Sequence, residues 1–220
     1  MFLDSDDMLM PQAVQVLFKA IRQDNYDVIR SGFVKEELNQ SDIVMASDIP
    51  SVTWTHGKIY KVSYLRDNDI RFLSELKTDE DANFNLIAWN GTENKGQITD
   101  ITYYWRHNRN SITRNLNKIE YFKTTYLYYI FGQVKALKKV YKLRPGVINN
   151  VLAVTLPNIY VYYMKAKYYN LPLEPLDKAI SSLNGYIWVQ NFLNDGRNWL
   201  KMFNELKPGE LMEDKTLVFY

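Results

Sequence analysis

The stretch "FLDSDDMLMPQAVQVLFKAI", residues 2–21, indicates how the chain begins to fold. The apolar residues 1–3 predict the end of a short buried strand. Pro11 is tolerated in the first turn of a helix, where a missing N–H leaves no hydrogen bond unmade. Apolar residues then recur at helical spacing, at Val14, Leu17, Phe18 and Ile21. The pattern therefore predicts a strand, an acidic loop and a helix.

Short elements of both kinds follow in the first half of the chain. Residues 26–34 and 96–107 alternate in polarity and predict strands. Residues 76–90 predict a helix with Phe84, Ile87 and Ala88 on one face. The polar segment over residues 39–51 predicts a surface loop.

The second half of the chain is helical in pattern. From residue 116 an apolar stripe at helical spacing runs to the "RPG" of residues 144–146, which ends it. Further helices are predicted over residues 147–169, 175–193 and 197–206. The sequence thus predicts an α/β protein, with a sheet domain over residues 1–110 and a basic, tyrosine-rich, mainly α-helical region over residues 111–220.

Composition excludes several classes of protein. An apolar share of 46% and an aromatic share of 15% exclude a disordered polymer. Because the chain has no cysteine, it forms neither disulfides nor thiolate zinc sites, and a reducing cytoplasm is compatible with this. The most apolar stretch is broken by Asn, Pro and Lys, so no transmembrane segment is predicted. The expected location is the cytoplasm, with peripheral contact at the inner membrane face as an alternative.

Charge is distributed unevenly along the chain. Residues 1–100 carry 10 basic and 17 acidic side chains, whereas residues 101–220 carry 17 basic and 8 acidic ones. Residues 103–170 hold 12 basic residues, many tyrosines and Glu120 as the only acid. This pattern suits an anionic partner, because lysine contacts phosphate and aromatic rings stack. An alternative function is therefore a binding module or inactive assembly subunit for DNA, teichoic acid or a membrane surface. An ordinary solvated lysine-rich face explains the same pattern.

The acidic motif "LDSDD" offers ligands for a hard cation. Asp4 and Asp6 lie two residues apart in the predicted loop, where both carboxylates can approach one ion. Oxygen ligands of this kind suit Mg²⁺ or Mn²⁺. Alternatively, the acids form a solvated turn before the Pro11 helix, whose dipole favours negative charge at its N-terminus.

A second acidic motif, "TDEDANF", lies at the start of the helix predicted over residues 76–90. Burial and the like charge of Glu80 favour the protonated form of Asp81, which makes Asp81 a candidate general base for a hydroxyl. Thr78 and Asp81 also have the spacing of a capping box, which explains the motif without any catalytic role.

A third motif, "YYWRHNRNSIT", combines basic side chains with a predicted strand-to-helix junction. Arg106, Arg109 and His107 precede Ser111 at this junction. Guanidinium groups and a helix N-terminus together can hold a diphosphate. In the simpler interpretation Ser111 is only an N-cap and the arginines are surface charges.

As an ordered set, these motifs resemble the catalytic domain of family 2 glycosyltransferases, the inverting enzymes with a GT-A fold. The likeness runs over residues 1–125 and is greatest for members that build bacterial capsule and cell-wall polysaccharides. It implies a partial GT-A (Rossmann-like) sheet domain that transfers a sugar from a nucleotide-sugar donor to an acceptor hydroxyl. The implied cofactor is Mn²⁺ or Mg²⁺, and the implied acceptor is a glycan, a lipid-linked glycan or another polymer.

The resemblance also implies roles for the acidic motifs. Asp4 and Asp6 match the DXD motif, with Asp6 as the direct metal ligand and Asp4 on the nucleotide side. Asp81 matches the catalytic base, with Glu80 beside it.

Five further residues receive roles from the same resemblance. Gly57 and Lys58 match a stretch that lines the acceptor side. Arg106, His107 and Ser111 match a segment that folds over the diphosphate of the donor.

The family places a nucleotide-binding half of the sheet ahead of the DXD strand, and here Met1 stands three residues before Asp4. We therefore expect an open sheet edge, which proteins normally cover. The chain is then a fragment of a longer enzyme, one part of a split enzyme, or an inactive remnant. Self-association or a complementing polypeptide at that edge is the corresponding partner prediction, and this chain alone is not expected to be fully active.

Overall fold

The structure of the chain is a computed structural model that describes residues 1–39, 42–48, 53–108 and 118–183. These residues form two compact units. The sheet unit comprises the described parts of Met1–Phe72 and Asp81–Leu116, and the helical unit those of Leu73–Glu80 and Asn117–Tyr220. The domain boundary expected between residues 110 and 111 stays a prediction, because both residues lie outside the described part.

The sheet unit contains a mixed sheet of five strands. They are β1 (Met8–Leu9), β2 (Val28–Asn39), β3 (Asp42–Asp48), β4 (Lys58–Tyr60) and β5 (Lys95–Trp105). The order is β1-β5-β2-β3, and β4 also pairs with β2. The long β2 runs parallel to β5, while β4 and β3 pair antiparallel with successive parts of its other edge. The predicted strands over residues 26–34 and 96–107 are thereby confirmed.

Three helices accompany this sheet: α1 (Ala13–Gln23), α2 (Val62–Asp67) and α3 (Glu80–Asn90). The predicted helix after Pro11 is confirmed as α1, but its buried face differs from the predicted stripe. Ala13, Leu17 and Ile21 are buried, and the last two pack against Ile29 of β2. Val14 and Phe18 are 61% and 53% exposed. The predicted face of α3 is confirmed, because Phe84, Ile87 and Ala88 are buried.

Two predictions about extended segments are wrong. Residues 1–3 do not form a strand; the first strand is β1, which pairs with β5 through Met8↔Tyr104. Phe2 instead packs its ring within 6 Å of the Tyr60, Phe72 and Phe84 rings. The predicted surface loop over residues 39–51 contains β3, whose backbone pairs with β2 from Phe33↔Asp48 to Asn39↔Asp42. Pairing with the preceding strand, rather than local composition, decides the conformation of this polar segment.

The helical unit contains α4 (Lys118–Leu143), a 3₁₀ turn (Pro145–Val147), α5 (Ile148–Tyr168) and α6 (Glu174–Ser181). The predicted end of the long helix at "RPG" is confirmed, as is the α/β fold class with a mainly helical second part. Helix α6 covers the start of the predicted helix over residues 175–193, while its remainder and the helix over residues 197–206 lie outside the described residues. No helix in the described part combines the length and hydropathy of a membrane span.

An acidic residue of the helical unit, Asp79, lies in an unusual environment. Its backbone is left-handed, with φ of 58°. Nearby, the hydroxyl groups of Thr78 and Tyr121 share a hydrogen bond, and the Tyr129 and Tyr162 rings stack with their centroids 3.9 Å apart. Burial raises the pKa of Asp79 to about 6, and the negative charge of Glu80 contributes to the same rise.

We expect Asp79 to make stability depend on pH. Because its pKa is higher in the folded chain than in the unfolded chain, its protonation stabilises the fold at pH 4, and this contribution is lost as the pH rises through 6. Relative to Asp79→Asn, the wild type should lose about 2 kcal/mol of unfolding free energy between pH 4 and pH 7. Urea unfolding at several pH values measures this.

Asparagine is a suitable replacement because it tolerates the left-handed backbone. Asp69→Asn is the matched control, since Asp69 also has positive φ but is exposed. A constant difference in stability between the wild type and Asp79→Asn across this pH range would contradict the expectation.

Candidate active site

The candidate site is built on the segment "TWTHGK", residues 53–58, which precedes and enters β4. Helix α3 holds its start, because Asn85 Nδ2 donates to the Thr53 carbonyl oxygen over 2.8 Å. Two residues on, Thr55 donates its backbone N–H and its hydroxyl to Asp81 Oδ2, over 3.3 and 3.0 Å. The proposed base is therefore attached to this segment by two hydrogen bonds.

Gly57 turns the segment into β4. Its φ of 61° lies in the left-handed region, and its carbonyl oxygen accepts hydrogen bonds of 2.8 Å from the Ser31 backbone N–H and hydroxyl. A Cβ at this position would lie 2.9 Å from Ser31 Oγ and 3.0 Å from the Ser31 carbonyl oxygen. Both the backbone angle and the close approach therefore require glycine.

Lys58 holds the same segment from within the protein. Its side chain is buried, and the ammonium group donates to the carbonyl oxygens of Trp54 and His56. Burial lowers the pKa of Lys58 to about 7, against the negative charge of Asp81, which raises it. Lys58 therefore fixes the backbone on both sides of Thr55, and its expected place on the acceptor side stays a prediction.

The segment carries a buried histidine at the centre of the site. His56 Nε2 lies 3.8 Å from Asp4 Oδ2 and 3.9 Å from Asp7 Oδ2. The imidazole stacks on the Tyr103 ring with centroids 4.6 Å apart, and Nδ1 is buried without a hydrogen-bond partner in the described part of the chain. Burial lowers the pKa of His56 more than the charges of Asp4 and Asp81 raise it. This direction favours the neutral imidazole, which is the form of histidine that binds a metal.

The two carboxylates beside His56 differ in exposure. The Asp7 side chain is 1% exposed and accepts hydrogen bonds from Tyr103 Oη, at 2.7 Å, and from the Arg106 backbone N–H, at 2.9 Å. Burial nevertheless raises the pKa of Asp7, and the nearby charges of Asp4 and Asp6 raise it further. The Asp4 side chain is 61% exposed. A cation at this position would offset the unfavourable burial of negative charge.

The structure brings together part of the predicted metal site and adds to it. Ligand atoms of Asp4, Asp7 and His56 all lie within 4.8 Å of one another. Asp6, the expected direct ligand, instead accepts a hydrogen bond of 2.7 Å from Asn108 Nδ2. Asp81 is not part of this cluster, but it binds Thr55, the residue that precedes His56. The segment of residues 53–58 thus contacts both acidic motifs of the sequence.

The remaining predicted residues are placed as follows. The exposed Arg106 follows β5, and its backbone N–H binds Asp7. The His107 backbone N–H donates to Glu36 Oε2 over 2.7 Å. Glu80 begins α3, directly before the proposed base. Ser111 lies outside the described residues.

Sequence reasoning assigned no role to His56 or to Tyr103, which together orient the site. One signal was available: the chain has only two histidines, and His56 directly precedes a glycine in a segment that the resemblance had already placed near the substrate. The partners of His56, however, lie about 50 residues away in sequence and leave no local pattern.

Comparison with known proteins identifies relatives of part of the chain. No family model matches it. Over 119 residues it is 27% identical to poly(ribitol-phosphate) beta-N-acetylglucosaminyltransferase TarS from two strains of Staphylococcus aureus. The chain is related to a glycosyltransferase. The match covers 50% of this chain and 21% of TarS, so the chain spans about a fifth of the curated relatives it matches.

A solved structure supports the fold. The crystal structure of S. aureus TarS 1-349 in complex with UDP has a TM-score of 0.54 and 18% identity, and the match covers 83% of this chain and 53% of that chain. At this identity the likeness shows the fold alone, and it confirms the expected glycosyltransferase-type α/β fold. Membership of family 2 stays a prediction.

We expect Gly57→Ala to destabilise the chain by about 2 kcal/mol or more, because the new Cβ meets Ser31 at a strained backbone angle. Gly146→Ala is the matched control, since no atom lies within 4 Å of a Cβ built there. Urea unfolding of both variants measures the difference. Equal stability of the two would show that the turn into β4 does not need glycine.

Proposed function

We propose that this chain bears the metal site and the catalytic base of an inverting glycosyltransferase. The observation that carries the proposal is the segment of residues 53–58, which places His56 beside Asp4 and Asp7 and binds Asp81 through Thr55. The related TarS supplies the reaction class, since its name describes transfer of N-acetylglucosamine to poly(ribitol-phosphate). A nucleotide-linked N-acetylhexosamine and a polyol-phosphate polymer are therefore the first donor and acceptor to test.

The residues around His56 fit a divalent cation. Ligand bonds of 2.0–2.3 Å allow two ligand atoms of one ion to lie up to about 4.5 Å apart, and the His56–Asp4 and His56–Asp7 separations of 3.8 and 3.9 Å fall within that span. Because one ligand is an imidazole, the set suits Mn²⁺ better than Mg²⁺. When bound, such a cation neutralises the charge of a departing diphosphate.

Asp81 is the proposed general base. Thr55 fixes the orientation of its carboxylate with two hydrogen bonds. The carboxylate takes the proton of the acceptor hydroxyl, and the hydroxyl oxygen forms a bond to the anomeric carbon as the bond from that carbon to the diphosphate breaks. The nucleoside diphosphate leaves from the opposite face, so a single displacement inverts the anomeric configuration. Arg106, exposed beside the Asp7 loop, is the proposed contact of the diphosphate.

The alternative of anionic-polymer binding by the basic helices receives less support. Three lysines of α4 and α6 are among the eight residues that line a cavity of about 330 Å³ in the helical unit. Two of them already have partners on the chain: Lys135 pairs with Glu75, and Lys138 donates to Ser182 Oγ over 2.8 Å. The geometry therefore points to no dedicated phosphate site among these helices.

We expect Asp81→Asn to lower sugar transfer from UDP-N-acetylglucosamine to a ribitol-phosphate oligomer by at least about 100-fold, because an amide cannot take up the proton. The asparagine oxygen still accepts the Thr55 hydrogen bonds, so the fold should persist. Asp100→Asn, an exposed acid on β5, is the control and should stay within about twofold of the wild type. Transfer by Asp81→Asn at near wild-type rate would exclude Asp81 as the base.

We expect Mn²⁺ affinity, measured by calorimetry, to depend on His56 and Asp7. Each of His56→Gln and Asp7→Asn should weaken binding at least about tenfold, because each removes a ligand. Asp6→Asn should change it by less than about threefold, since Asp6 binds Asn108 instead. If Asp6→Asn alone abolishes binding, Asp6 is the ligand as the family resemblance implies, and the His56 site is wrong. Circular dichroism confirms that the variants are folded.

A further inference from the structure

Trp54 is the exposed member of the aromatic cluster around the site. Its side chain is 37% exposed, whereas Phe33, His56 and Tyr103 are buried. The indole contacts Phe33 edge-on at a centroid distance of 5.9 Å and lies 5.4 Å from the half-buried Trp105. A single exposed apolar side chain is common on protein surfaces and needs no explanation by itself. The location and rigidity of Trp54 distinguish it.

The backbone around Trp54 is held at three successive residues. The Thr53 carbonyl oxygen accepts from Asn85, the Trp54 carbonyl oxygen accepts from Lys58, and Thr55 donates twice to Asp81. An exposed ring on such a backbone is preorganised, so a ligand that stacks on it loses little free energy in ordering the protein. Ring contacts with Phe33, His56 and Trp105 restrict the indole itself.

Trp54 adjoins two parts of the site. Its ring stacks toward the His56 imidazole with centroids 6.2 Å apart, and the next residue, Thr55, binds Asp81. Trp54 and Thr55 are neighbours with Cα atoms about 3.8 Å apart, and the Thr55 hydroxyl lies 3.0 Å from Asp81 Oδ2. The group that must come closest to Asp81 is the acceptor unit whose hydroxyl loses its proton. An indole face offers no charge for a diphosphate, but it suits the C–H groups of a sugar ring or a polyol.

From these contacts we infer that Trp54 is a stacking surface for the sugar or polyol unit of the acceptor, and so a specificity-determining residue of this site. The inference rests on the proposed function for the identity of the acceptor. Trp105, 5.4 Å from Trp54, supports the indole from within the cluster. Stacking on this indole orients the acceptor so that one hydroxyl faces Asp81.

Direct binding tests this inference without any turnover. A ribitol-phosphate oligomer is titrated into the chain by calorimetry in 0.3 M NaCl, which screens contacts with exposed lysines. Trp54→Ala should weaken binding about tenfold, because the stacking surface is lost, and Trp54→Phe should stay within about threefold of the wild type. Phe72→Ala is the matched control: Phe72 is also 37% exposed, but it stacks on Phe84, and its loss should leave affinity within about twofold.

A parallel titration with UDP distinguishes stacking of the acceptor on Trp54 from stacking of the uracil ring of the donor. Any affinity for UDP should be equal in the wild type and in Trp54→Ala. Oligomer binding that is unchanged in Trp54→Ala, weaker UDP binding in that variant, or no oligomer binding by the wild type would each overturn the inference. Loss of transfer in every preparation would count against the proposed function only, because oligomer binding through Trp54 is measured independently of catalysis.

Discussion

The position of the buried His56 ring is the constraint on which the site depends. Tyr103 stacks against the ring, and its hydroxyl binds Asp7, so one tyrosine of β5 orients both the imidazole and a carboxylate. The segment that carries His56 is fixed in turn by Gly57 against Ser31 and by the Lys58 ammonium group. The Phe33, Trp54 and Trp105 rings also lie near the imidazole, with centroid distances of 5.8, 6.2 and 4.9 Å. The held backbone and this aromatic packing together fix Nε2 relative to the two aspartates.

Burial gives the site its electrostatic character. It raises the pKa of Asp7, lowers the pKa of His56 and lowers the pKa of Lys58 to about 7, so each group is less readily charged than in water. Such shifts are frequent where a protein binds an ion or moves a proton. A divalent cation between Asp4, Asp7 and His56 would stabilise the charged carboxylates that the protein alone disfavours. The proposed metal site would thus offset the free-energy cost of burying these carboxylates.

Local periodicity, with a period near 3.6 residues for helices and two for strands, predicted several of the elements. Helices α1 and α4 and strands β2 and β5 follow from it, as does the end of α4 before the proline. It failed for β3, whose conformation comes from pairing with β2. It also failed for Val14 and Phe18, because helical spacing shows which residues share a face but not which of them contact the rest of the protein. The site required still longer contacts: Tyr103 and Asp7 are 96 residues apart. Motif order identified Asp4 and Asp81 as candidates, but the sequence held no pattern that joins them through the segment around His56.

Anomalous scattering from Mn²⁺ in crystals of this chain tests the central claim most directly. The account predicts one strong peak within bonding distance of His56 Nε2 and of carboxylate oxygens from Asp4 and Asp7, with the Asp81 carboxylate facing the same space. A peak bound to Asp6 and remote from the imidazole, or Asp81 directed to a different surface, would contradict it.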